Sequence, residues 1–159
     1  MSKFESLSRP EKTNHITIAL GGYWRKKNYS SHFEIGLQAW GKRRADVISL
    51  NTKLELIICE VKSCWEDFNS DKKWRTYLPY CNKMYFAFDI DTYTKNKARL
   101  DELIDKGVGI IAVSENGLCT VKRNAKKQDM KGKKAIVTSL AWKSGYSKAT
   151  VKRFHSPKL

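Results

Sequence analysis

The sequence predicts a mixed α/β domain in which helices pack on one central β-sheet. Three observations lead there. Segments with apolar residues at helical spacing alternate with short runs of branched and aromatic residues. Turn residues, Asn51-Thr52 and Glu115-Asn116-Gly117, join neighbouring runs closely enough for hairpins. The chain of 159 residues, 41% hydrophobic, can bury a core without metal or disulfide staples.

The first helix spans Arg9 to Lys27, where Ile16, Ala19, Leu20 and Tyr23 recur on one face. Thr13 or Asn14 could cap a late start, and Gly21-Gly22 weakens its C-terminal part. Three strands follow. The first, about Ser31 to Trp40, alternates Phe33, Ile35, Leu37 and Ala39 with polar neighbours. The second covers Ala45 to Leu50 and the third Leu54 to Lys62, whose branched apolar run suits a central strand. A helix from Ser70 to Tyr77 comes next, with Asp67 or Ser70 as its cap. Lys83 to Asp89 is a strand, and Lys95 to Lys106 a helix ended by Gly107 in the C′ position. Val108 to Ser114 and Leu118 to Arg123 form a hairpin, and a last helix lies within Lys133–Ser147. Residues 1–123 thus make a core, with 124–159 a basic C-terminal segment packed on it as part of one domain.

Cysteines 59, 64, 81 and 119 contain no CxxC pair, and His15, His32 and His155 are scattered. That argues against structural zinc and for reduced thiols in a cytoplasmic protein. No apolar run suits a membrane span or signal core, so no membrane partner is expected. The net charge of +15 is uneven. From Lys122 onward, twelve Lys and Arg face one acid, Asp129. Such a field suits a polyanion, nucleic acid being the commonest; an anionic surface or plain solubility are the alternatives.

The chemistry concentrates in Asp46 and in Glu60-Val61-Lys62. Residues two apart on a strand share a face, so Glu60 and Lys62 point the same way. If the hairpin centres near Lys53, Asp46 stands opposite Glu60, with Cβ atoms about 5 Å apart. Two carboxylates that close repel each other unless a cation lies between them. Lys62 and a hard divalent ion, Mg²⁺ or Mn²⁺, are the candidates, with the Val61 carbonyl as a further oxygen ligand. Such a site could hydrolyse a phosphodiester, with Lys62 orienting water or neutralising charge on the phosphate. An Asp followed by Glu-x-Lys is also a common solvated strand pattern.

The surroundings add to this pattern. Arg43-Arg44-Ala45-Asp46, Glu60-Val61-Lys62-Ser63, Asp67-Phe68, Asp71-x-Lys73-Trp74, Tyr77, Tyr80-Cys81 and Tyr85-Phe86-Ala87 resemble MmcB-type DNA repair proteins of the PD-(D/E)XK nuclease superfamily. The resemblance is dense from Arg43 to Phe88 and looser through Gly109–Arg123 and around Trp142. It implies a restriction-endonuclease-like core, a mixed sheet flanked by helices. It further implies Asp46 and Glu60 as metal ligands, Lys62 as catalytic lysine and Glu34 as an outer ligand.

The same likeness suggests phosphate contacts for Lys73. Trp74 either packs in the core or stacks on an unpaired base, and Tyr77 and Tyr80 pack. Arg43 and Arg44 either clamp phosphate or are a solvated strand end. Lys122, Arg123, Lys126, Lys127, Lys131, Lys133 and Lys134 would extend the footprint by backbone contacts that carry no sequence information. The expected activity is metal-dependent cleavage, endonucleolytic rather than exonucleolytic, of branched, damaged or single-stranded DNA, with RNA an open alternative. A catalytically silent nucleic-acid-binding protein on the same scaffold is the competing reading. With no apolar heptad, monomer and homodimer both stay open.

Overall fold

Ser8 starts the first helix, α1 (Arg9–Lys26). Its hydroxyl accepts from the Glu11 amide while the Glu11 carboxylate accepts from the Ser8 amide. This reciprocal cap, with Pro10 in a first turn that does not need its missing N–H, sets the start upstream of Thr13 and Asn14. Gly21-Gly22 does not interrupt the helix.

The computed structural model describes residues 2–36 and 44–155. Its strands are β1 (Ser30–Gly36), β2 (Arg44–Leu50), β3 (Leu56–Lys62), β4 (Lys83–Asp89), β5 (Gly109–Val113) and β6 (Cys119–Arg123). Its further helices are α2 (Trp65–Ser70), α3 (Ile90–Leu103) and α4 (Lys133–His155), with 3₁₀ turns at Lys3–Ser6 and Trp74–Tyr80. The strands form one mixed sheet in sequence order: β1, β2 and β3 antiparallel, β3, β4 and β5 parallel, β6 antiparallel to β5. This is the α/β architecture with a restriction-endonuclease-like core.

Helix α1 covers one face, setting Ile16, Leu20 and Trp24 against Val47, Ile57, Cys59, Val61, Tyr85 and Ile111. The other face carries Ile48, Leu56, Ile58, Phe86, Phe88 and Ile110 under Phe68, Trp74, Tyr93, Leu100, Ile136 and Leu140. Strand β3 is buried along its whole length, as a central strand should be. The expected hairpin register holds: Val47 pairs with Cys59, Ile48 with Ile58 and Leu50 with Leu56. Asn51 fixes the turn by accepting from the amides of Lys53 and Glu55, and Leu54 takes a left-handed φ of 61° to close it.

Several boundaries differ from expectation. The outer part of the first predicted strand, including Leu37, Ala39 and Trp40, lies outside the described residues. The predicted helix Ser70–Tyr77 is absent; α2 ends at Ser70 and a separate 3₁₀ turn begins at Trp74. Asp71 takes an extended conformation between them because its carboxylate is engaged by Lys62 and by the Lys73 amide. Asp67 is therefore inside α2 and Ser70 ends it, so neither is a cap. Helix α3 begins directly after β4, because Asp89 caps it by accepting from the Thr92 amide and hydroxyl. Its end is tied by Arg123, whose guanidinium donates to the carbonyls of Asp101, Ile104, Asp105 and Val108. Gly107 falls in the turn beyond rather than at C′. Helix α4 continues past Ser147 to His155.

The segment after β6 crosses the ends where β3, β4 and β5 begin. Asn82 organises it: its side chain accepts from the Leu56 amide and donates to the Gln128 carbonyl, and its carbonyl accepts from the Gln128 amide. Lys126 donates its amide to Gly107 and Lys131 to Pro79. Asn82→Ala leaves buried partners unmatched and is expected to destabilise the protein by about 1–3 kcal/mol. Urea unfolding should show a lower midpoint with an unchanged slope; an unshifted midpoint would contradict the role given to Asn82.

Candidate active site

Glu60 and Lys62 stand at the C-terminal end of β3, paired with Phe86 and Phe88 of β4 and on the same face, only 5% and 7% exposed. Asp46 lies across from them on β2. The backbone pairing of β2 and β3 runs from Leu50–Leu56 to Val47–Cys59. Beyond it, side chains take over: Asp46 Oδ2 accepts from the Val61 amide at 2.8 Å, and Glu60 Oε1 from the Asp46 amide at a long 3.4 Å. The sheet thus opens where the two carboxylates meet.

Both neighbouring strands change their facing here. Val47 packs toward α1, whereas Ala45, two residues away, joins the opposite core. On β1, Phe33 lies against Gly21 of α1 while Ile35 packs with the opposite core. The residues between these pairs are Asp46 and Glu34, and Glu34 has a left-handed φ of 51°. A non-glycine residue in that region stores about 1–3 kcal/mol of strain, a feature concentrated at functional sites. Glu34 and Asp46 line one cleft of about 710 Å³ together with Ser63 and Asp67.

The electrostatics follow from this crowding. Burial, and then the charge of Asp46, push the Glu60 carboxyl up to about 8. Burial likewise raises Asp46, with Asp67 and Glu34 adding to the rise against the Val61 amide and Lys62. Burial works against the Lys62 ammonium, but Asp71, 2.8 Å away, outweighs it and holds the lysine above its ordinary value. Asp71 shifts in the complementary direction: burial is overcome by Lys62 and the Lys73 amide, leaving its carboxyl below the usual range. Asp67 accepts from the Ser63 amide at 3.3 Å. Asp71 is a member of this cluster that residue spacing did not single out; Asp71-x-Lys73-Trp74 marked its neighbourhood without assigning it a role.

Among the described residues, no group of three His, Cys, Asp or Glu side chains is gathered closely enough to hold an ion. A buried Glu60 carboxylate, raised by the charge of the half-buried Asp46 across from it, nevertheless fits a hard divalent ion, with the Val61 carbonyl next along β3. Mg²⁺ in particular is often bound through one or two carboxylates, with water and substrate oxygens completing its shell. The residues present therefore suit the group expected from sequence.

The other candidate residues separate into three sets. Arg44, two residues before Asp46 on β2, and Lys73, whose amide donates to Asp71, are both exposed. Arg43 lies outside the described residues. Trp74 is 3% exposed and packs edge-on against Phe86, so core packing replaces base stacking. Arg123 is likewise withdrawn from phosphate binding by its four carbonyl partners at the end of α3. Lys126, Lys127 and Lys131 sit at the opposite end of β3 from Glu60, with Lys127 paired to Glu55 at 3.1 Å. Lys122 lies over the Tyr93 ring, and Lys133 and Lys134 begin α4. Sequence order placed these lysines after the core without revealing which end of the sheet they would reach.

Comparison with known proteins bears on the whole chain. The family described as "DNA repair protein MmcB-like" matches residues 3–156. A solved structure of a protein of unknown function from Silicibacter pomeroyi has a TM-score of 0.75 at 20% identity. The likeness covers 97% of this chain and 98% of that one, and at that identity it is one of fold. No curated protein matches. No helix among the described residues is long and apolar enough to cross a membrane.

Proposed function

The chain belongs to the MmcB-like DNA repair family of the PD-(D/E)XK nuclease superfamily, and from that premise we propose that it is a metal-dependent deoxyribonuclease, endonucleolytic and not sequence-specific. The observation that carries the reading is the meeting of the half-buried Asp46 and the buried Glu60, both raised, beside the Lys62 ammonium. Asp46, Glu60 and the Val61 carbonyl would hold Mg²⁺ or Mn²⁺, and Glu34 would be an outer ligand. When bound, the ion would supply Lewis acidity and charge neutralisation at a phosphodiester oxygen.

Lys62 then has a defined part. Its raised affinity for a proton makes it a donor to the attacking water or the phosphate rather than a base. Asp71 keeps that ammonium oriented through the 2.8 Å contact. Arg44 and Lys73 would hold flanking phosphates, and the exposed lysines of 122–134 would add contacts with the backbone of a longer substrate. The segment 124–159 is taken to act in one unit with 1–123, since Ile136 and Leu140 are buried with Phe86. A catalytically silent nucleic-acid-binding role is the second reading; what favours it is that no group of three His, Cys, Asp or Glu side chains gathers among the described residues.

One assay separates the two. Labelled single-stranded, duplex, nicked, forked and junction DNAs, and matching RNAs, are incubated with Mg²⁺, Mn²⁺ or EDTA. Cleavage of at least one DNA with either ion, and of none in EDTA, is the expected result. Binding without cleavage on every substrate would give the assignment to the silent reading.

A further inference from the structure

The cleft that receives Asp46 is built mostly by residues with no part in the proposed chemistry. Along α1, Pro10, Thr13, Asn14, Thr17 and Ile18 recur at helical spacing and line it. The adjoining stripe, Ile16, Leu20 and Trp24, is buried against the sheet. Helix α1 therefore presents two faces: one packs, and the other forms a wall beside the carboxylates. Arg9 lies exposed at the start of that wall, near enough for its charge to act on Glu66.

Two large apolar side chains are exposed in the same cleft, Ile18 at 65% and Phe33 at 45%. Phe33 is on β1, the edge strand of the sheet, where an exposed apolar ring is a liability unless it has a use. Its ring is seated against α1 at Gly21: a Cβ there would stand 3.0 Å from Phe33 Cζ. One side of the ring is thus supported by helix backbone, and the ring borders a cleft continuous with Asp46. An apolar surface among hydrogen-bonding groups, with an arginine at the rim, matches a nucleobase and its phosphate.

We propose that the α1–β1 cleft is a nucleotide subsite, in which an unpaired base of the strand to be cut stacks on Phe33, with Arg9 on a neighbouring phosphate. The inference rests on the nuclease reading for the strand's relation to Asp46, but not for binding itself. A base can reach Phe33 only when it is out of a duplex, so the subsite selects single-stranded or locally unpaired DNA.

The test uses the full chain in EDTA and an oligodeoxynucleotide carrying 2-aminopurine, single-stranded or within a duplex. Binding of the single strand should quench the probe. Phe33→Ala should abolish the quenching and weaken single-strand binding roughly 5- to 150-fold, as expected for one lost stacking contact. Its effect on duplex binding should be much smaller. Phe33→Leu, which keeps apolar bulk over Gly21, should fail in the same way, and Phe33→Tyr should retain quenching; together they separate stacking from misfolding. Absence of quenching in the parent, unchanged quenching in Phe33→Ala, or equal losses on single strand and duplex would overturn the subsite. The same proteins are then assayed with Mn²⁺. Quenching that depends on Phe33 with no cleavage would sink the nuclease reading alone. Cleavage by the parent with Phe33 variants that bind unchanged would sink the subsite alone.

Discussion

Asp46→Asn and Glu60→Gln are each expected to lower DNA cleavage in Mg²⁺ or Mn²⁺ by roughly a thousandfold, equivalent to the several kcal/mol that a metal supplies to a phosphoryl transition state. Retained DNA binding in EDTA should accompany the loss. The amide replacements matter because both carboxylates also serve the sheet. Asp46 accepts from the Val61 amide where the backbone pairing of β2 and β3 has stopped, and Glu60 accepts from the Asp46 amide. Asparagine and glutamine keep an acceptor for those bonds while removing the charge; alanine would leave the Val61 amide without its partner. Single-turnover cleavage measures the effect directly. A variant that cuts as fast as the parent removes that residue from the ligand set.

The second large effect links metal to pH. Glu60 has its carboxyl raised from 4.5 to about 8, first by burial and then by Asp46, and Asp46 is raised in the same direction. A carboxyl raised on folding stabilises the folded state while protonated. That stability is present below the unfolded value and is lost as pH rises through the folded one. The metal-free protein should therefore become less stable between about pH 5 and pH 8. The loss should reach several kcal/mol, since each tenfold change in proton affinity is worth roughly 1.4 kcal/mol. His32, lowered by burial, works the other way over the lower part of that range. Asp71, held below its ordinary value by Lys62, changes only at more acid pH. A divalent ion competes with the proton at the two carboxylates, so it should raise the melting temperature more at pH 8 than at pH 5. Thermal unfolding in EDTA and in Mg²⁺ across this range checks both parts. A melting temperature in EDTA that does not fall toward pH 8 would contradict the burial of charge at this site.

Residues that carry local, periodic information were the most legible in sequence. The alternation in β2 and β3 and the Asn51 turn fix a hairpin register, and from that register the juxtaposition of Asp46 and Glu60 follows. Lys83–Asp89 likewise reads directly as a buried strand. What the sequence concealed depends on partners distant along the chain. Asp71 breaks the expected Ser70–Tyr77 helix because Lys62, on another element, takes its carboxylate. Arg123 has the composition of a phosphate ligand, yet the end of α3 consumes its donors. Trp74 follows β3 and α2 in sequence order, yet its ring packs on Phe86 of β4 in the core. The reversal of facing at Glu34 and Asp46 has no periodic signature, since alternation describes a strand only where it stays regular.

The path of the segment after β6 sets a length scale for any polyanion. The lysines at 126, 127 and 131 lie near the first residue of β3, and the carboxylates near its last. The seven residues of β3 span roughly 20 Å at about 3.3 Å each. DNA advances about 3.4 Å per nucleotide along its axis. A strand engaged at both poles must therefore reach across some six nucleotides, by order of magnitude. Shorter oligomers would meet only Arg9, Arg44 and Lys73 beside the carboxylates and miss the lysines at the far pole, so the attraction of this strongly cationic chain for DNA should rise in a step with substrate length rather than evenly.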